Sequence, residues 1–372
     1  MTKLLLVFAV LLLPLQASAD IQFTDMAGRE IRLEKPADKV ILGEGRFLSI
    51  FGVLGVAKPL TRVAGMMNEF RSFDPDGFAR YRAAFPEIDR IPVFGETSEE
   101  TVSVEQAILA QPEVAIFGVQ GHGPGARSRH IIDKLKAAGI TTVFIDFRQH
   151  PLQSTARSVE IVSKVLGLED RGRAFADFYR SEVARVTERL KANPPTHCPS
   201  VLLEVRVDLQ QPCCISIASG MFADLVEAAG GCNVAKGLLP GSVGQLSLEH
   251  VIATAPQVYI GTAIGSTALP ADQSPSRIIL GVGGDPAISR KSLQAVLQRS
   301  GIASLPAVVN QRAHGLWHHF YNSPLNVYAL QKIAQWLHPE LFRDLQPEKT
   351  LNRLLFGFAP VDLQGVYAIS QK

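Results

Sequence analysis

After its N-terminal segment the chain lacks any run approaching the roughly 20 consecutive apolar residues that cross a bilayer, so no later stretch reads as membrane-spanning. It also lacks an excess of charge: 37 Lys and Arg against 35 Asp and Glu leave +2. That balance, with basic residues scattered and no nucleic-acid-binding motif, excludes a broad nucleic-acid or membrane surface. The chain contains no G-x-S-x-G, no H-E-x-x-H and no C-x-x-C. A nucleophile elbow, a helical zinc pair and a redox dithiol are therefore all missing. Residues 118–125 are glycine-rich but lack the G-x-x-x-x-G-K-[ST] pattern of a phosphate loop, which leaves a flexible connecting loop. An enzyme on an α/β scaffold stays open as a reading of another class, because chemistry resides in sites rather than folds.

Cysteine is scarce and confined. Cys198, Cys213, Cys214 and Cys232 all fall in one short part of the second half. Clustered, even-numbered cysteines in an exported chain read as disulfides, with three possible pairings. A bond between the adjacent Cys213 and Cys214 would strain the chain, which favours bonds from them to Cys198 and Cys232. A thiolate metal site lacks the usual C-x₂-C spacing.

What is present begins with Met1, Thr2 and Lys3, an apolar run over 4–15, and Gln16, Ala17, Ser18 and Ala19. A basic start, a short apolar core and a small-x-small end predict a secretory signal peptide over 1–19, cut after Ala19. No Cys follows the cut, so the sequence offers no lipid-anchor signal there. At 372 residues the chain has room for roughly two domains.

Short apolar runs alternate with helical patterns. Strands are predicted at 39–42, 62–65, 114–117 and 142–145, then at 201–205, 258–260 and 307–309. Helices are predicted at 103–111, 128–138, 221–229 and 326–337. This alternation predicts an α/β fold with mostly parallel sheets covered on both faces. Between the halves, residues 170–193 carry Ala174, Phe175, Phe178, Val183, Val186 and Leu190 at helical spacings, then stop at Pro194 and Pro195. That stretch reads as a rigid spacer between an N-terminal lobe, 20–169, and a C-terminal lobe, 194–372. Residues 264–300 read as a less regular insertion. The tail from Leu345, with Phe356, Phe358 and Val361, reads as packing back on a lobe.

The two halves share a repeat. Ser103, Glu105, Ile108, Pro112, Val114 and Ile116 recur in register as Ser247, Glu249, Ile252, Pro256, Val258 and Ile260. In each copy the Ser can cap a helix and the Glu falls in its first turn, where the helix dipole favours an acid.

These paired Ser-x-Glu helices, the spacer stretch, and Ala228-Ala229-Gly230-Gly231-Cys232-Asn233-Val234-Ala235 together resemble the periplasmic binding proteins for ferric siderophores, haem and cobalamin. The resemblance covers nearly all of the chain after residue 19. It implies two Rossmann-like lobes joined by a single long helix, with the ligand in the cleft between them. It implies a non-enzymatic, periplasmic and monomeric protein that hands its solute to an ABC importer. The expected partners are a small iron chelate and the importer's membrane subunits, with no nucleic acid. Glu105 and Glu249 match the family's permease-docking carboxylates, which pair with arginines of those subunits. No resident cofactor is expected; the cargo carries Fe³⁺.

Ligands of parallel α/β lobes meet the loops beyond the carboxyl ends of the strands. Those loops hold Arg46, Arg71, His122, Arg148 and Arg206, and the run Trp317, His318, His319, Phe320 and Tyr321. Arginine forks match the oxygens of anionic chelates, and aromatic faces pack on planar chelators. Arg46, Arg71, His122, Arg148, Arg206, Trp317, His318, His319 and Tyr321 are therefore the expected ligand-binding set. Direct metal coordination by His122, His318, His319 and Glu69 is an alternative, although adjacent histidines in a strand point apart. Haem or a corrinoid is another, with Tyr81, Tyr321 or a His as axial ligand.

Overall fold

The computed structural model describes residues 20–207, 213–264, 277–356 and 361–372. The expected signal peptide, 1–19, lies outside the described residues, as does Phe358.

After a hairpin of Ile21–Thr24 and Glu30–Leu33, the N-terminal lobe is built on four parallel strands. These are β1 (Val40–Leu42), β2 (Val63–Met66), β3 (Val114–Gly118) and β4 (Thr141–Ile145). Their order is β2-β1-β3-β4. Val40, Ile41, Leu42, Val114, Ala115 and Ile116 are almost fully buried, as strands covered on both faces require. The chain leaves β1 toward one edge and β3 toward the other. A crevice therefore opens at the carboxyl ends of β1 and β3, the switch point where α/β sheets bind ligands.

The second sheet holds β5 (Ser200–Glu204), β6 (Ile215–Ile217), β7 (Cys232–Asn233), β8 (Val243–Gln245), β9 (Val258–Ala263), β10 (Ala313–Trp317) and β11 (Ala368–Ser370). Its order is β8-β6-β5-β9-β10-β11, with β7 also on β5. The core β5-β9-β10 is parallel, and β11 brings the C-terminal tail back antiparallel onto β10.

The spacer is one helix, Glu169–Ala192. Gly172 lets it lie close against helix Pro151–Leu166, because any Cβ there would collide with Ser163 Oγ. The buried Tyr179 hydroxyl donates to Asn326 Oδ1 at 2.7 Å, and Asn326 Nδ2 donates to Thr155 Oγ1 at 2.8 Å. This relay ties the long helix to a helix of each lobe, so the linker is packed along its length and resists bending.

Four expectations change. Residues 307–309 are not a strand but part of a helical turn, Pro306–Val309. Pro306 sits at its first position, where a missing N–H costs nothing, and the sheet strand is β10 instead. Within the expected insertion 264–300, residues 277–300 are more regular than expected. Helix Pro286–Leu297 is capped by the Asp285 carboxylate, and Gly281–Val282 pairs with Gly365–Val366; residues 265–276 lie outside the described residues. His318 and His319 belong to a tight helical turn, His318–Asn322, rather than to a strand. The disulfides join Cys198 to Cys232 and Cys213 to Cys214, not the cross-pairing expected. Cys232 on β7 lies beside Ser200 of β5, two residues from Cys198, so the sheet itself brings that pair together.

The Cys198–Cys232 bond spans a separation of 34 residues, which chain-entropy reasoning values at about 3–4 kcal/mol. Replacing both cysteines by serine should lower unfolding free energy by about that amount in urea titrations at neutral pH. A loss near zero would mean the sheet alone closes this loop.

Candidate functional site

The loops after β1 and β3 meet at the switch point. Glu44 leaves β1 in extended conformation between Gly43 and Gly45, and Arg46 follows in a short helical turn, Gly45–Phe47. Both side chains are buried, Glu44 at 1 % and Arg46 at 7 % exposure. Arg148, just after β4, points Nη2 at Glu44, 2.8 Å from each carboxylate oxygen. Arg46 Nη2 donates to Glu44 Oε2 at 3.1 Å. The glycines of 118–125 serve this packing: a Cβ on Gly121 would collide with Glu44 Oε1, and one on Gly123 with the Gly43 carbonyl. That loop is thus shaped by close approach rather than by flexibility.

Glu69 supports Arg46 from behind. Its carboxylate accepts the backbone N–H groups of Gly45 and Arg46 at 2.8 and 3.1 Å and faces Arg46 Nε at 3.4 Å. Burial, reinforced by nearby Glu44 and opposed by Arg46, pushes Glu69 up to about 7. Burial would also raise Glu44, but Arg148 and Arg46 outweigh it and hold that carboxyl below its ordinary value.

The C-terminal lobe meets this cluster with the turn after β10. Asn322 Nδ2 donates to Glu44 Oε2 at 2.6 Å. Arg46 Nη1 lies 2.8 Å from His319 Nδ1, and His319 Nε2 lies 2.8 Å from the Phe73 carbonyl. A carbonyl can only accept, so Nε2 carries the proton and bare Nδ1 accepts from Arg46. The Tyr321 hydroxyl accepts from Arg46 Nη2 at 3.3 Å and stands 3.3 Å from His122 Nε2. Arg148 also lies over the Tyr321 ring, 4.9 Å from its centroid. His318 Nδ1 sits 2.8 Å from Thr262 Oγ1, which accepts the Arg206 N–H at 3.0 Å.

Of the expected ligand-binding set, the structure brings Arg46, His122, Arg148, His319 and Tyr321 into this one cluster. His318 adjoins it, its ring 4.6 Å from that of Tyr321, and Arg206 is one link further out through Thr262. Trp317 is built into the C-terminal core, edge-on to His319, Phe320 and Tyr367 at 5.1 Å each. Arg71 stands apart: it is half exposed, pairs with Asp89 at 3.2 Å and stacks on Phe78. Tyr81 is buried in the N-terminal lobe, edge-on to Phe70. Sequence reasoning passed over Glu44 and Asn322. The signal for Glu44 was an acid held between two glycines at a strand end, a pattern of close backbone approach.

Beside the cluster, a cavity of about 600 Å³ lies between the lobes, lined by Gln120, Arg148 and Gln149 on one side and Ser219, Met221 and Asp224 on the other. The lobes touch at its edge, where the Met221 N–H donates to the Arg148 carbonyl at 2.7 Å. Gly220, with φ of +68°, permits this, since a Cβ would lie 2.7 Å from the same carbonyl.

Among the described residues, one group of three metal-type donors converges: Glu204, Cys213 and Cys214. Both sulfurs are joined in a disulfide. The Glu204 carboxylate is held by Arg299 at 2.8 Å and Tyr259 at 2.7 Å. His122, His318, His319 and Glu69 do not gather into such a group, so the structure gives direct coordination by that set no support.

Glu105 and Glu249 are exposed in the first turns of helices Val104–Leu109 and Leu248–Thr254. Ser103 and Ser247 cap these helices, accepting the N–H of Gln106 at 3.2 Å and of His250 at 3.1 Å. The repeat seen in the sequence is thus a repeated local structure, one copy per lobe.

Two α/β lobes on one packed helix, closing charged and aromatic side chains over a cleft, define a two-lobed solute-binding architecture. A family model described as a periplasmic binding protein matches residues 85–314, more than half of the chain, and the chain belongs to that family. A search of curated proteins gave no significant match. Among solved structures, the chain is similar to the TroA-like periplasmic binding protein FepB from Veillonella parvula. That match has 26% identity and a TM-score of 0.82, covering 95% of this chain and 100% of that one. It also resembles the molybdate-binding protein MolA of Haemophilus influenzae, with 17% identity, a TM-score of 0.65 and coverage of 91% and 97%. A periplasmic haem-binding protein from Pseudomonas aeruginosa matches at 16% identity and TM-score 0.55, covering 82% and 94%. The protein is a periplasmic binding protein, similar over nearly its whole length to one of the TroA-like type.

Burial holds His318 and His319 well below the ordinary histidine value, with the positive charge of Arg46 adding to the effect on each; His122 is lowered to about 4 by burial, Arg148 and Arg46 against the pull of Glu44. These rings are neutral when folded and take up protons once unfolded. The stability they contribute is whole above about pH 6.5 and is lost as pH falls toward the depressed folded values. The contribution of these rings to unfolding free energy should therefore drop from about pH 7.5 to about pH 5, by at most about 1.4 kcal/mol per pH unit for each ring, against the opposite contribution of the raised Glu69 carboxyl over the same range. Replacing His318 and His319 by glutamine should flatten that slope; an unchanged slope would mean that neither ring titrates on unfolding.

Proposed function

We propose that the cleft holds an anionic ferric chelate, Fe³⁺ wrapped in an oxygen-rich chelator of siderophore type, and that the protein delivers it intact to the importer. The observation that carries this reading is the convergence of Arg46 and Arg148 with Tyr321, His122 and His319 at the junction of the lobes. Two guanidinium cations with an aromatic ring between them suit a chelate that is both anionic and planar in part. A cavity of about 600 Å³ beside them falls in the size range of small-molecule sites. The resemblance of the sequence to ferric-siderophore binding proteins supplies the iron. The chelator encloses the metal, so protein side chains meet its periphery rather than Fe³⁺ itself.

Delivery is assigned to Glu105 and Glu249. Two exposed carboxylates, one per lobe in matching helix positions, can be read by paired membrane subunits carrying arginine. Such contacts set register and encounter rate more than affinity. The packed linker helix implies a small opening motion.

Titration calorimetry against ferric citrate, ferric catecholate and hydroxamate siderophores, haem, cobalamin and free Fe³⁺ tests the cargo. An anionic ferric chelate should bind tightly, and Arg148→Gln should weaken it roughly 10- to 100-fold, the worth of one charge-assisted hydrogen bond. Binding of haem or cobalamin alone, or of a neutral chelate as tightly as an anionic one, would overturn the reading. Reversing both Glu105 and Glu249 to arginine should leave solute affinity within about twofold while abolishing uptake in cells, because exposed rim charges act on the partner. Unimpaired uptake would remove these two residues from docking.

A further inference from the structure

The Glu44 carboxylate is the meeting point of four residues. It receives Arg148 Nη2 at 2.8 Å on both oxygens, Arg46 Nη2 at 3.1 Å, Asn322 Nδ2 at 2.6 Å and the His122 N–H at 3.3 Å. Three of these donors come from different loops of the N-terminal lobe and one from the C-terminal lobe. Donors arranged this way form an oxyanion pocket, and here an internal side chain fills it.

We infer that Glu44 is the resident occupant of the solute's own oxyanion pocket, and that a carboxylate or similar oxyanion of the incoming solute takes its place when the cleft loads. The inference rests on the proposed chelate reading only for the identity of the cargo; the pocket stands on its own geometry. The two buried acids divide the work. Glu69 accepts backbone N–H groups of Gly45 and Arg46 within its own lobe, so it fixes the loop and stays. Glu44 is held mainly by side chains that face the other lobe, together with one side chain of that lobe. Opening the cleft breaks the Asn322 bond and frees Glu44 to turn toward water, leaving Arg46 in place on Glu69.

Two properties follow. While Glu44 is in place, the charges of Arg46 and Arg148 are met internally, so a neutral solute gains nothing from them. A solute must bring an oxyanion that competes with a carboxylate already desolvated and bonded, which makes Glu44 a specificity-determining residue. Glu44 also clasps the lobes together without cargo, through Asn322.

Iron-free citrate is the probe, titrated calorimetrically into the intact chain and Glu44→Gln, with lobe closure of these and of Asn322→Ala read as the radius of gyration in solution scattering. Glu44→Gln should bind citrate at least tenfold more tightly than the unaltered chain. Asn322→Ala takes one donor both from Glu44 and from the oxyanion that would replace it, so it is read for lobe closure and not for affinity. Both variants should be more open than the unaltered chain when ligand-free. Equal or weaker citrate binding by Glu44→Gln would overturn the inference, as would full closure of both variants. Should Glu44→Gln lose its thermal transition, Glu44→Asp, which keeps the charge but withdraws it by one methylene, replaces it and should gain citrate affinity in the same direction; no gain overturns the inference. Tighter citrate binding by a chain that takes up none of the ferric chelates would support the pocket and overturn the cargo.

Discussion

Arg46 and Arg148 carry full charges into the junction of two lobes, where a lone buried charge costs several kcal/mol. Much of the local structure can be understood as the answer to that cost. Glu44 and Glu69 supply the opposite charge, Tyr321 and neutral His319 supply acceptors, and the glycines at 121 and 123 let the loop close around the carboxylate. The neighbouring histidines respond in turn: buried beside guanidinium groups, they stay unprotonated and so can accept hydrogen bonds.

The scaffold delivers those groups through topology. The order β2-β1-β3-β4 splits the chain at the carboxyl ends of β1 and β3, which is where Glu44, Arg46 and His122 leave the sheet. The second sheet turns its own carboxyl ends to the same cleft and contributes His318 through Asn322. The helix Glu169–Ala192 then holds the lobes at a set distance, with the Tyr179–Asn326–Thr155 relay anchoring it to both.

Most of the strands, the linker helix and the two Ser-capped, Glu-bearing helices were legible in the sequence, because each follows from local periodicity and capping chemistry. The misreading at 307–309 came from β-branched residues that look like a strand; Pro306 at a helix start outweighed them. The cysteines misled for a related reason, since only the pairing of β7 with β5 shows which of them are neighbours. Five of the nine expected ligand residues meet in one cluster, found by the rule that strand ends face the site. Arg71 was drawn in by the same rule, but its side chain turns out to Asp89 and Phe78.

The sequence by itself determined the α/β character, the two halves, their shared Ser-x-Glu unit and the loops from which a site would be built. These depend on interactions a few residues apart, which spacing records directly. Only the tertiary structure decided that Glu44 faces Arg148 across 104 positions and Asn322 across 278. Charge pairing between distant loops depends on sheet order and lobe closure, and no local pattern along the chain encodes either.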